Sequence, residues 1–305
     1  MIVTSNYSTD MKNSKAEVVR FELWSKIVYP IVAALIVLLN SIEIHVLRKT
    51  SNKPFYEKLL LSLSISDLSC GLFISVTVPY ICIVKNELYI LLHWNVWGFG
   101  VAYVTFISLM HLTIISVDRL WAVVAPLHHR QYSTNRKLVI AVILSWGIPM
   151  VFVIVCIYLV LENDMKPADI YWFGTGTMFA IVARVVLATD IVLIMCYSAI
   201  IWTIKQKKSV VRKNSTETKT MNAVILCFGI VSVFIVFTTP FVVVFITNWN
   251  TPHWLMKFGM ILFTLNQISN SIVFLIRKNR SNRSINIEKK STKRQRKKKS
   301  DETEV

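Results

Sequence analysis

Between Lys219 and Lys257 the chain contains no Asp, Glu, Lys or Arg. A globular protein has little use for so long an uncharged run, whereas a helix that crosses a bilayer needs about 20 consecutive apolar residues. Six further stretches are also long and apolar enough, so the predicted spans are 24–47, 59–84, 88–120, 138–161, 171–204, 221–246 and 254–276. In lipid only a helix or a closed barrel satisfies its own backbone hydrogen bonds. The expected fold is therefore an all-α, seven-transmembrane helix bundle over residues 24–276, with a polar tail at 1–23 and a basic tail at 277–305. Composition agrees: 54% of residues are hydrophobic and 17% charged, too apolar for a soluble domain of this length.

The net charge of +17 would suggest nucleic acid in a soluble protein, but its placement argues for a membrane. Lys and Arg number 34 in all; 26 of them fall between Arg48 and Lys58, between Arg119 and Lys137, between Lys205 and Lys219, and after Ile276. Basic loops are retained in the cytosol, which predicts a multi-pass membrane protein with its N-terminus outside and its C-terminus in the cytosol. Asn6-Tyr7-Ser8 then becomes a glycosylation sequon in the outer tail. No signal peptide is visible in the first residues, so the first span is expected to carry insertion. The five cysteines lie in or beside apolar runs without metal-ligand spacing, and read as small buried hydrophobes.

A charge at the centre of a spanning helix costs about 2.5–3.5 kcal/mol on insertion scales, so each one present calls for a partner or a role. Glu43, Asp67, Arg184 and Asp190 stand in such positions, and Asp118-Arg119 ends the third span. The order of these and other landmarks is informative. Asn40 lies in the first span, Leu63-Ser64-Ile65-Ser66-Asp67-Leu68 in the second and Ser116-Val117-Asp118-Arg119-Leu120 in the third. Trp146, Tyr197 and Phe234 with Pro240 follow in the next three, and Asn266-Gln267-Ile268-Ser269-Asn270-Ser271-Ile272-Val273-Phe274 in the last. Across all seven spans this resembles the rhodopsin-like G-protein-coupled receptors. The usual disulfide is missing, since Trp94 stands at one of its positions and no cysteine lies in 162–173. Thr189 replaces the usual proline of the fifth span, and these two absences resemble the melanocortin, lysophospholipid and cannabinoid receptor group. Thr238 stands where the family has a tryptophan, and Asn270-Ser271-Ile272-Val273-Phe274 where it has Asn-Pro-x-x-Tyr.

The resemblance implies a mechanism. Asp118 pairs with Arg119 in the off state; Arg119 then turns toward Tyr197 as the sixth span swings at Pro240, repacking Phe234, Asn270 and Phe274, and a heterotrimeric G protein enters. Asp67, Ser108, Asn266 and Asn270 would line a hydrated pocket able to hold a sodium ion, with Asn40 bonding to Asp67; no other cofactor is implied. Thr220 and Glu217 are poor matches for the acid that often restrains the arginine, which predicts ligand-free signalling.

For the ligand, the resemblance places Val101, Tyr103, Arg184, Thr238 and Thr264 about the outer pocket. Val101 stands in place of the amine-binding aspartate and Thr264 in place of the retinal-binding lysine, which disfavours both ligands. Arg184 could meet an anionic head-group or pair with Asp190. His111 reads as an interhelical hydrogen-bonder and His128-His129 as solvated basic surface. No nucleophile with a base, metal cluster or phosphate loop is present, so no enzyme is expected. The basic cluster Lys293-Arg294-Gln295-Arg296-Lys297-Lys298-Lys299 suits anionic lipid rather than nucleic acid. The final Thr303-Glu304-Val305 has the form that adds a strand to a PDZ domain. The alternatives are a seven-helix transporter or channel, for which no internal repeat is evident, and a receptor-like protein that has lost coupling.

Overall fold

The computed structural model describes residues 27–50, 53–83, 87–132, 134–162, 178–207, 215–246, 255 and 258–279. Seven of its helices are long and apolar enough to cross a membrane, and among the described residues there is no strand. They are α1 (Ile27–Lys49), α2 (Phe55–Ile83), α3 (Glu87–Val124), α5 (Asn135–Glu162), α6 (Met178–Lys207), α7 (Ser215–Ile246) and α8 (Phe258–Asn279), with a short α4 (Pro126–Tyr132) between the third and fourth spans. The all-helical, seven-span architecture expected from the sequence is thus the one observed.

Several helices overrun the predicted spans by a turn or so, because intrahelical hydrogen bonds persist beyond the hydrocarbon, where side-chain hydropathy no longer reports them. The third is the instructive case. Expected to close at Leu120, it continues to Val124 and ends where Ala125 N–H reaches the Trp121 carbonyl at 2.9 Å. Pro126 then opens α4, a position where its missing N–H costs nothing. The predicted beginning of the fifth span, 171–177, lies outside the described residues, as do the two tails.

Each helix shows which way it faces. On α1 the buried set Ile36, Asn40, Glu43 and Leu47 recurs at helical spacing, while Ile27, Ile31, Leu35 and Leu38 turn outward. On α5 the outward set is Val139, Ile143, Val151 and Ile154. Water would penalise that surface and hydrocarbon does not. α3 is buried on nearly every side, from Val104 through Leu109 to Ile115, and packs against α2, α5, α6 and α7. It is the axle of the bundle.

Two glycines set close approaches. A Cβ at Gly71 on α2 would sit 2.8 Å from Cγ2 of Ile36, so only glycine lets α1 and α2 come this near. Gly259 on α8 lies against the backbone of Phe241 on α7, where a Cβ would be 3.3 Å from its Cα. Beside that contact the Phe241 and Phe263 rings stack with centroids 4.2 Å apart.

Candidate functional site

Among the described residues, two polar clusters within the apolar bundle hold most of the residues singled out from the sequence. The first, at the α3–α4 junction, is built on Asp118 and Arg119, both largely buried. Arg119 pairs with Asp118 through Nε and Nη2. Its guanidinium also lies 4.5 Å from the centre of the Tyr56 ring of α2, a cation–π contact. His129 completes the cluster: its Nε2 is 2.8 Å from Asp118 Oδ1. The reading of His128-His129 as solvated surface is corrected for the second residue, whose side chain is 16% exposed. α4 accounts for the difference, because its fold carries His129 back over the end of α3 and sets its ring edge-on to Trp121. Lys137 caps the other ring, 5.1 Å from the Trp121 centroid.

Tyr197, toward which Arg119 is expected to turn, is buried on α6 with its ring 5.4 Å from that of Phe228 on α7. Among the described residues its hydroxyl makes no hydrogen bond of ordinary geometry; the nearby Ser116 hydroxyl of α3 donates to the Leu112 carbonyl. Leaving a buried hydroxyl unpaired costs about 1–3 kcal/mol, so this group is at odds with the present arrangement. Phe234 is fully buried further along α7, and Pro240 interrupts the same helix. Pro240 lacks the N–H that would bond the Val236 carbonyl. The hydroxyls of Thr238 and Thr239 bond the Phe234 and Ile235 carbonyls at 3.0 and 2.6 Å. The side chains of Glu217 and Thr220 lie outside the described residues.

The second cluster lies at mid-bundle, where α1, α2, α3 and α8 meet. Asp67, fully buried, accepts from Ser108 Oγ at 3.2 Å and from Asn270 Nδ2 at 3.1 Å. The bond expected from Asn40 to Asp67 is not formed. Asn40 spends its amide hydrogens on the Ile36 and Gln267 carbonyls, at 2.9 and 3.2 Å, and its Oδ1 faces Ser271. Asn266 also departs from expectation, since its oxygens receive Ser269 of its own helix. Gln267 takes its place: its Oε1 lies 3.5 Å from Ser108 Oγ. A shift of one residue rotates a side chain by about 100° around an α-helix, and sequence order does not fix rotation that finely.

A sodium ion, implied by the likeness of sequence, fits the donors present. They are hard oxygens with one carboxylate among them, and Asn270 Oδ1 is buried with no partner. Among the described residues no group of three His, Cys, Asp or Glu suits a transition metal.

Sequence reasoning passed over Glu43 as a site residue. It is 1% exposed, and its Oε2 lies 2.6 Å from Ser271 Oγ. Its spacing of three from Asn40 put both on one helix face, a signal available in the sequence.

The residues expected about a ligand are not gathered into one described cavity. Tyr103 is half-buried, Thr264 bonds the Met260 carbonyl at 2.9 Å, and of Val101 only the backbone is described. Arg184 is exposed and does not meet Asp190; the latter is buried and faces Thr238 Oγ1 at 3.4 Å. Six positions separate Arg184 from Asp190, which puts them on different faces of α6. A groove of about 320 Å³ instead lies between α6 and α7 beside Tyr197, Ile201, Phe228 and Ile235. His111 is the interhelical bonder expected: Nε2 is 2.9 Å from Ser62 Oγ and Nδ1 is 2.8 Å from the Ile107 carbonyl. Cys70, Cys156, Cys196 and Cys227 are free thiols. Asn6, Thr303 and Val305 lie outside the described residues.

No curated protein matches the chain. A family described as 7 transmembrane receptor (rhodopsin family) matches residues 35–274, from the middle of α1 to Phe274 on α8. That match lends no support to the narrower melanocortin, lysophospholipid and cannabinoid likeness. It covers both polar clusters and every long helix, and the chain belongs to the rhodopsin family of seven-transmembrane receptors.

Proposed function

We propose that the protein is a plasma-membrane receptor, N-terminus outside and C-terminus in the cytosol, that passes an extracellular ligand signal to a heterotrimeric G protein by rearranging its helices. One observation carries the reading. Arg119 is occupied by Asp118 and Tyr56, while the Tyr197 hydroxyl on the neighbouring helix is buried beside Ser116 without a hydrogen bond of ordinary geometry among the described residues. The present contacts satisfy the arginine and deprive the tyrosine. An arrangement in which Arg119 leaves Asp118 for Tyr197 reverses that balance, and it opens the bundle end between α3, α6 and α7 to a partner. The break in α7 at Pro240 lets the segment carrying Phe228 and Phe234 move as a unit.

Asp67 would hold a sodium ion together with oxygens of Ser108, Gln267 and Asn270. Bound there, the ion supplies a positive charge against a carboxylate that has no basic neighbour in the described network. The extracellular ligand is neither an amine nor retinal, on the evidence of Val101 and Thr264. The basic tail would rest on anionic lipid, and Thr303 with Val305 would engage a PDZ domain. The outer-tail sequon at Asn6 would be glycosylated.

Nucleotide exchange on a purified G protein, measured with the receptor in lipid nanodiscs, tests the reading. The receptor is expected to accelerate exchange, and Arg119→Ala to reduce that acceleration at least tenfold with no loss of folded protein. Equal exchange by the two proteins would remove the role assigned to Arg119 and favour a receptor-like protein without coupling.

A further inference from the structure

The contacts of Glu43 can be resolved by counting protons. Asn40 donates both amide hydrogens, one to the Ile36 carbonyl and one to the Gln267 carbonyl. Rotating the amide would set its oxygen against those two carbonyls, so the orientation is fixed and Oδ1 is an acceptor. Facing it at 2.8 Å is Ser271 Oγ, which is also 2.6 Å from Glu43 Oε2. Two short oxygen–oxygen contacts meet at this hydroxyl, and the hydroxyl has a single hydrogen. If Ser271 donates to Asn40, an ionised Glu43 would press lone pairs onto lone pairs at hydrogen-bond distance. If it donates to Glu43, Asn40 Oδ1 is left in the same position. Both contacts are satisfied only when a second proton is present, and Glu43 is the group that can bring it.

We infer that Glu43 is a proton-binding site, held as the neutral carboxylic acid, which latches α1 to α8 by donating to Ser271 while Ser271 donates to Asn40. The surroundings agree with this. Glu43 is 1% exposed in a hydrocarbon-facing bundle, where an unpaired carboxylate is costly. Among the described residues no Arg, Lys or His bonds to it. On the neighbouring helices, α2 presents Asp67 and the hydroxyl of Ser64, which donates to the Leu60 carbonyl, and α8 presents the non-ionising Ser271 and Asn270. Two carboxyls share the polar core: Asp67 faces the Asn270 amide, which can only donate there, whereas Glu43 faces hydroxyls that have other acceptors.

The latch belongs to this chain rather than to the pattern it resembles. Ser271 stands where the Asn-Pro-x-x-Tyr pattern has proline, which has no hydroxyl to offer. Asn270 and Ser271 are adjacent on α8 and are held by different helices, Asn270 by Asp67 of α2 and Ser271 by Glu43 of α1. Displacing α8 takes the acceptor away from the Glu43 proton and lets water reach the acid, so proton binding favours the latched arrangement and its loss favours the displaced one.

The test is infrared spectroscopy of the purified full-length receptor at neutral pH, reading the carbonyl stretch of a protonated carboxylic acid and its shift in heavy water. The band is expected in the wild type and in Asp67→Asn, and its Glu43 contribution is expected to disappear in Glu43→Gln, whose amide can still donate to Ser271. Ser271→Ala retains the acid and its band but moves the band to higher frequency, because the hydrogen-bond acceptor is gone; this variant decides the matter if Glu43→Gln does not fold. Loss of a carboxylate band in Glu43→Gln, or an unmoved acid band in Ser271→Ala, would overturn the inference.

Discussion

His129 and Asp118 show how little a residue's own neighbours in sequence say about its work. Their side chains meet at 2.8 Å although eleven positions separate them, and the bond occupies the Asp118 oxygen that Arg119 leaves free. Removing it loosens Asp118 and hence its hold on Arg119. His129→Ala is expected to raise ligand-free nucleotide exchange a few-fold, in keeping with about 1 kcal/mol for one hydrogen bond; exchange equal to that of the wild type would show that the contact does not restrain Arg119. Asp67 invites a second measurement. If it holds sodium, exchanging potassium for sodium chloride at constant ionic strength raises the melting temperature of the wild type, and Asp67→Asn abolishes the difference. At this scale the sequence was legible where chemistry is carried by adjacent residues, as in Asp118-Arg119, or by a costly charge, as in Asp67. It was not legible where rotation about a helix axis chooses between neighbours. Gln267 therefore replaces Asn266 beside Ser108, and Asn40 turns toward Ser271 and away from Asp67.

Helices were easier to read than residues, because an apolar run long enough to cross lipid has few other uses. α7 is the clearest, uncharged from Met221 to Ile246. α4 was not anticipated: with Pro126 at its head and His128, His129 and Arg130 within it, it resembles any polar connection until its contact with Asp118 is seen. Pro240 acts at the level of the element. Pro240→Ala would restore a donor for the Val236 carbonyl and a continuous ladder through α7. A straighter, stiffer helix is expected to raise thermal stability and to lower ligand-driven exchange. An unchanged exchange rate in a demonstrably more stable variant would separate the break in α7 from signalling. Gly71 makes the opposite prediction for α2. Its Cβ would fall 2.8 Å from Ile36 Cγ2, so Gly71→Ala is expected to cost about 1–3 kcal/mol of stability, read as a lower melting temperature.

For the whole molecule, the distribution of Lys and Arg speaks to orientation and the buried polar groups to purpose. Epitope tags on intact cells should be accessible at the N-terminus and hidden at the C-terminus until the membrane is permeabilised; both tags in one compartment would refute the seven-span topology. The close approach of Gly259 to the Phe241 backbone carries a mechanical consequence. There α7 and α8 touch main chain to side-chain-free main chain, and the stacked Phe241 and Phe263 rings flank the contact. The helix is clamped just beyond Pro240, so it has its fulcrum there and its free arm toward Met221. An arm of some twenty residues is about 30 Å long, and a tilt of about 10° sweeps its tip through about 5 Å. On the proposed mechanism a small displacement beside the clamp would thus become, at the Met221 end of the helix, an opening wide enough to admit a protein side chain.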